Sequence, residues 1–287
     1  MPRFRTRTKR AALRTIAVAF VAVIVLDQAG CEPRPDVLIG AGDIAECGKT
    51  GDSFTARLVT SIGGEVVTFG DLAYEDGTAR EFRDCYGPTW GRHDWRVHPS
   101  PGNHDYGTPG ADGYFDYFGR RAGPDRRGIY HFDKGGWRIF SLNSQAHIAA
   151  GAAYVRAHAG GKPCIAAYWH KPLRSSGRHG GTDAVLPLWQ AMYDVGGDLV
   201  LNGHDHDYER FAELGRTGLP RAGGMRQIIV GTGGAGHYDF NAPSRGSQVR
   251  NNTSFGVIVV GLHARSYSWR FRPIAGHTFT DSGTGSC

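Results

Sequence analysis

The chain has 287 residues, enough for one sizeable catalytic domain or two small ones. Its formal charge of +6 is concentrated at the start: residues 1–30 hold six basic residues against Asp27, leaving 27 basic and 26 acidic residues elsewhere. So balanced a body gives no electrostatic argument for a nucleic-acid partner, and 43 glycines imply many tight turns.

In chain order, "MPRFRTRTKRAALR" and the apolar "TIAVAFVAVIVL" read as the two parts of an export signal within residues 1–30. The apolar stretch is shorter than the roughly 20 residues of a membrane span. A short retained anchor is the other reading, and Cys31 after "LDQAG" is a candidate for lipid attachment, so membrane attachment has two possible routes. Short apolar runs then alternate with polar, glycine-bearing turns: "DVLIGAGD" to Asp43, "EVVTFGD" to Asp71, "WRVHPSPGNHD" to Asp105, "KPCIAAYWH" to His170 and "GDLVLNGHDH" to His206. Their length and Val/Ile content predict strands, and their near-continuous apolar character predicts sheets covered on both faces. Helices are expected at 52–62, capped by Asp52 or Ser53, and at 182–196, with Pro187 in the first turns. Segments 107–128 and 211–224 read as loops, and residues 276–287 as a loosely held tail. The layout is a layered α/β fold with mixed sheets.

Of the five cysteines, Cys47 and Cys85 each lie just beyond an apolar run ending in Gly-Asp, and a disulfide is expected between them. Cys164, in "PCIAAYW", reads as reduced and buried.

The polar residues collect at predicted strand ends, the side on which open α/β sheets bind ligands. Asp43, Asp71, Tyr74, Asn103, His104, His170, His204 and His206 offer carboxylate, phenol, amide and imidazole donors. That inventory suits two borderline cations such as Fe, Zn or Mn. A pair of such ions needs a bridging oxygen and can clamp a transferring phosphoryl group. Each piece alone also fits a turn, a cap or a core histidine; the recurrence in one chain points to a site.

The series "GD", "GDLAY", "GNHD", "YWH" and "GHDHDYER" resembles the calcineurin-like metallophosphoesterases, and most of all the purple acid phosphatases. The tyrosine three residues after Asp71 and the "YER" after His206 are the more specific marks. The resemblance covers the body of the chain, a phosphoesterase domain over 36–275. It implies a four-layer sandwich (α/β/β/α) of two mixed β-sheets flanked by helices. Asp43, Asp71, Tyr74 and His206 would hold a first metal ion, Fe(III) in the purple branch. Asp71 would bridge, and Asn103, His170 and His204 would complete a second ion, Fe, Zn or Mn. His104, fixed by Asp105 or another carboxylate, would assist the leaving group, while Asn103, His104, Arg178 and His179 would contact a small phosphorylated substrate. Ala45 departs from the glycine or histidine usual two residues after the first aspartate, which makes Tyr74 the replacement ligand. The implied activity is phosphomonoester hydrolysis by an exported enzyme. The alternatives are a phosphodiesterase or nucleotidase on an iron-free site, and an envelope binding protein that keeps the fold without the activity.

Overall fold

The structure, a computed structural model, describes Met1 and residues 34–287. The expected export signal or anchor and the lipid on Cys31 lie outside the described residues. Among the described residues no helix is long and apolar enough to cross a membrane.

Fifteen strands are formed among the described residues: β1 (Asp36–Ala41), β2 (Ala45–Glu46), β3 (Glu65–Phe69), β4 (Ala73–Tyr74), β5 (Val97–Ser100), β6 (Tyr130–Lys134), β7 (Trp137–Ser141), β8 (Cys164–Tyr168), β9 (Leu199–Asn202), β10 (Tyr208–Leu214), β11 (Met225–Val230), β12 (Ser247–Asn251), β13 (Gly256–Leu262), β14 (Ser266–Pro273) and β15 (Ser282–Ser286). They make a six-stranded sheet, β15-β14-β13-β1-β3-β5, a seven-stranded sheet, β12-β10-β11-β9-β8-β7-β6, and a ribbon, β2-β4. Both large sheets are mixed. In the first, β1, β3 and β5 are parallel; in the second, β7, β8, β9 and β11 are.

The sequence alternates within the buried runs as two covered faces require. In β8, Cys164, Ala166 and Tyr168 face the core shared with the first sheet. Ile165 and Ala167 join the separate core formed with the helices Ile148–His158 and Leu186–Asp194. β9 and β11 divide in the same way, with Val200 and Ile229 turned toward the helices. Against the first sheet lies α1 (Gly51–Ser61), with Ala56 and Val59 in the core and Thr55 accepting the indole N–H of Trp90. Two sheets packed between helices are the architecture the sequence predicts.

Several local expectations are corrected. Helix α1 starts at Gly51, so Asp52 lies inside its first turn and accepts the hydroxyl of Thr89 instead of capping. The 107–128 segment contains a helix, Asp112–Phe118, whose Tyr114, Phe115 and Phe118 are buried. The 211–224 segment begins inside β10. The tail is not loose: β15 pairs antiparallel with β14 from Arg270↔Ser282 to Ser266↔Ser286. Its glycines fit the neighbouring strand, because a Cβ at Gly283 would run into the ring of Trp269 and one at Gly285 into that of Tyr267. Cys164 is not free either. It is bonded to Cys287, 123 residues away, with a Cα–Cα distance of 5.2 Å. The expected Cys47–Cys85 disulfide is present.

Candidate metal centre

The parallel strands deliver the polar residues to one crevice. Asp43, Asp71, His170 and His204 each stand two residues beyond the end of their strand, β1, β3, β8 and β9, and Asn103 stands three beyond β5. Three of them turn the chain through left-handed backbone, with φ of 60° at Asp43, 54° at Asp71 and 77° at His204. For residues with a Cβ that conformation costs on the order of 1–3 kcal/mol each, so the surroundings must impose it. They do so with the carboxylates themselves. Asp43 Oδ2 accepts the His204 N–H at 2.8 Å, and Asp71 Oδ1 accepts that of His104 at 2.8 Å. Gly70, at φ 83°, has no alternative, since a Cβ there would meet the His170 ring at 2.6 Å.

Two groups of donor atoms result, and they share one oxygen. In the first, Tyr74 Oη lies 2.9 Å from Asp43 Oδ1, 3.4 Å from Asp71 Oδ2 and 3.1 Å from His206 Nε2. In the second, His170 Nε2 lies 3.0 Å from Asp71 Oδ2, 3.1 Å from Asn103 Oδ1 and 3.1 Å from His204 Nδ1. The ligand atoms of Asp71, His170 and His204 all fall within 4.8 Å of one another, a triad able to hold a metal ion. The imidazoles are oriented from behind, as metal-binding histidines are. His170 Nδ1 donates to the Phe69 carbonyl at 2.8 Å, and His206 Nδ1 to that of Gly236 at 2.5 Å. Their Nε2 lone pairs therefore point into the cluster, where acceptors face acceptors and only a cation or a proton relieves them.

The electrostatics agree. Burial pushes the Asp71 carboxyl up, but His170 and His104 outweigh it and hold the group well below the usual carboxylate range. Burial pushes His170 down, and Asp71 reverses this, to about 9. His204 is depressed to about 2 by burial and by its neighbour His170. Tyr74 is raised well above an ordinary phenol by burial and by Asp43. An anionic oxygen wedged between imidazoles and a phenol is a set of borderline-to-hard donors that fits Fe, Zn or Mn.

The remaining expected residues sort less uniformly. His104 reaches the site's rim, its ring 4.4 Å from that of Tyr74 and its Nε2 4.0 Å from Asp71 Oδ2. Asp105 does not orient it. That carboxylate is fully buried and accepts the N–H groups of Asp71, Leu72 and Gly102 at 2.8–3.1 Å, with its pKa driven to about 8 by burial and by Asp71. Asp105 is a brace for the Asp71 loop, and His104 Nδ1 donates instead to the Glu75 carbonyl. His179 does come to the centre, its ring stacked on His204 at 4.5 Å. Arg178 stands one layer out, its guanidinium 5.1 Å from the centre of the Tyr238 ring.

Sequence reasoning missed Tyr238, which stacks on His206 at 4.2 Å and helps line a cavity of about 270 Å³ with Tyr74, His104 and His206. It follows the glycine-rich run "GTGGAG", residues 231–236, whose backbone passes the site: Gly233 N–H donates to the Gly42 carbonyl and Ala235 N–H to that of Asp43. Also missed is what the acids after His204 do. Asp205 accepts the Ser175 hydroxyl and the His179 N–H, and Glu209 accepts the Ser176 N–H, so both pin the loop that carries Arg178 and His179.

A sequence profile described as calcineurin-like phosphoesterase matches residues 19–208, well over half the chain. No curated protein matches. Among solved structures, a purple acid phosphatase from yellow lupin (Lupinus luteus) seeds superposes with a TM-score of 0.67 at 17% identity, over 89% of this chain and 55% of its own. GAP50, the anchor in the inner membrane complex of Plasmodium, gives 0.68 at 12% identity, over 87% and 88% of the two chains. PhoD gives 0.56 at 10%, over 89% and 69%. At these identities the likeness shows a common fold, and the chain spans little more than half of the lupin protein. The profile match supplies the kinship: the chain belongs to the calcineurin-like phosphoesterase family.

Proposed function

We propose that the chain is a dimetal phosphomonoesterase. The observation that carries this reading is the shared oxygen: Asp71 Oδ2 stands 3.4 Å from Tyr74 Oη in one donor group and 3.0 Å from His170 Nε2 in the other. Asp43, Asp71, Tyr74 and His206 would hold one ion, Fe(III), and Asp71, Asn103, His170 and His204 the second, Fe, Zn or Mn. Bound there, the ions supply Lewis acidity, offsetting charge on the phosphoryl oxygens and lowering the pKa of an attacking water.

The protein's own part is to hold and protonate. With Nδ1 committed to the Glu75 carbonyl, His104 keeps Nε2 at the rim of the centre for the oxygen of the departing alcohol. His179 and Arg178, with Asn103 and His104, would bind the phosphoryl group. A cavity of about 270 Å³ matches a small organic group better than an extended one. Export of the enzyme, with or without attachment through the N-terminal segment, is supported by the two disulfides.

Metal analysis tests the reading apart from turnover. The purified protein should bind two ions per chain and hydrolyse a panel of phosphomonoesters, and one ion per chain would refute the bridge. With iron beside Tyr74 the protein should absorb visible light. A colourless zinc or manganese protein, fully active on diesters or nucleotides, would instead establish the phosphodiesterase or nucleotidase alternative.

A further inference from the structure

Between the two candidate ligands His204 and His206 stands an acid that the metal chemistry does not use. Asp205 is fully buried, and its side chain turns away from the donor cluster toward the 175–179 loop. Its Oδ2 accepts the Ser175 hydroxyl. Its Oδ1 accepts twice from one residue, the His179 backbone N–H at 2.8 Å and the His179 ring Nδ1–H at 3.1 Å. The His179 ring is thereby held parallel to that of His204, 4.5 Å away with 28° between planes. The loop is moulded to the carboxylate: a Cβ on Gly177 would strike the Asp205 side chain, so the chain can wrap it only at a glycine.

We infer that Asp205 is a positioning residue that acts through His179. The carboxylate fixes the direction of the imidazole by accepting Nδ1–H, and Nε2, which no group among the described residues engages, is left to carry a proton of its own and donate it to a phosphoryl oxygen. This rests on the phosphoesterase reading of the site. It gives the acid inside "GHDH" a purpose separate from metal binding: the same tripeptide that carries two metal donors also aims the substrate-binding histidine. A carboxylate accepting a ring N–H is a device that fixes an imidazole's orientation.

The test uses metal-replete protein and inorganic phosphate as the probe, with the inhibition constant, KM, kcat and metal content measured together. Asp205→Ala should weaken phosphate binding about tenfold and raise KM by a similar factor. Metal content should remain that of the wild type, and kcat should stay within about threefold. Asp205→Asn, which keeps an acceptor facing His179, should recover most of the loss. His179→Ala should weaken phosphate about tenfold, and adding Asp205→Ala to it should cost nothing more. A further tenfold loss in the His179→Ala background would overturn the inference, because Asp205 would then act by another route. Should Asp205→Ala fail to fold, the nitrogen-15 imidazole spectrum of the zinc-loaded wild type decides. A His179 ring protonated at Nδ1 is expected, and one protonated at Nε2 alone overturns the assignment. The spectrum reads the Asp205–His179 link whatever the protein hydrolyses. A wild type that cleaves no phosphoester therefore fails the functional reading without deciding the link.

Discussion

The two ends of the parallel strands are built on opposite terms. At the carboxyl ends, Asp43, Asp71 and His204 adopt left-handed backbone, and acceptors crowd acceptors around Asp71 Oδ2. At the amino ends, side chains instead close off free backbone carbonyls. The Arg96 guanidinium donates to the Val59 carbonyl in the last turn of α1 and to those of Ile62 and Gly64 beyond it, and Trp137 Nε1 donates to the His263 carbonyl. There too the Cys164–Cys287 disulfide ties the first residue of β8 to the end of the C-terminal strand. One end stores strain and unmet electrostatic demand, and the other supplies the stability that lets it persist. A substitution should therefore damage either metal chemistry or stability, according to its end of the strand.

The largest effect should come from Asp71→Asn, which removes the charge both donor groups share. We expect loss of both ions by metal analysis and a fall in kcat/KM of roughly 10³-fold, the scale of several kcal/mol of charge stabilisation. The fold should survive, as read by far-UV circular dichroism; a mutant that kept full metal content would break the contrast at its centre. Next in size, and at the other end, is Cys287→Ser. Opening a loop of that length removes about 2–5 kcal/mol of stability, visible as a lower denaturation midpoint, while the folded fraction keeps its metal and its kcat. If metal content fell instead, the two ends would not be separable.

His104→Asn should lower kcat about 10²-fold, the contribution of one positioned proton donor, with both ions retained. Loss of metal in that variant would show His104 to be a ligand. The smallest effect belongs to Asp198, at the amino end of β9, whose carboxylate accepts the Ile165 N–H at 2.8 Å. Burial raises its pKa to about 6, against an ordinary value near 4. The folded state therefore binds the proton more tightly than the unfolded one, and stability should fall as pH rises from about 4 to about 6. After allowing for solvent screening the change is on the order of 1 kcal/mol. Urea titrations across that range would show it, and Asp198→Asn should flatten the slope without touching metal content.

The carboxyl ends were far more legible in the sequence than the amino ends. Each donor there follows an apolar run at almost fixed spacing, and all but His170 among the strand-end donors follow a glycine directly, because a short side chain reaches a central ion only from a tight turn just past a strand. Asp43, Asp71, His170 and His204 stand where that pattern put them. Asp105 was misread because adjacency to His104 in sequence says nothing of direction; its side chain points back under the Asp71 loop. Tyr238 was invisible because a lone aromatic after a glycine run carries no periodic signal. At the other end, "SGTGSC" resembles a disordered tail in composition. Its glycines are set by the aromatic rings of β14, which lie on the neighbouring strand rather than nearby in sequence. Cys164 resembles a core thiol in sequence for the same reason, since its partner is 123 residues away.

The place of β1 in its sheet should delay metal uptake until late in synthesis. The strand that aims Asp43 lies between β3, which follows it closely in the chain, and β13, which begins at Gly256. During synthesis every donor from Asp43 to His206 emerges before that second neighbour does, and until then β1 has an open edge. A nascent chain thus carries a full complement of donor residues with no fixed geometry in which to use them. A chain truncated before β13 should therefore bind metal weakly although it lacks none of the candidate ligands.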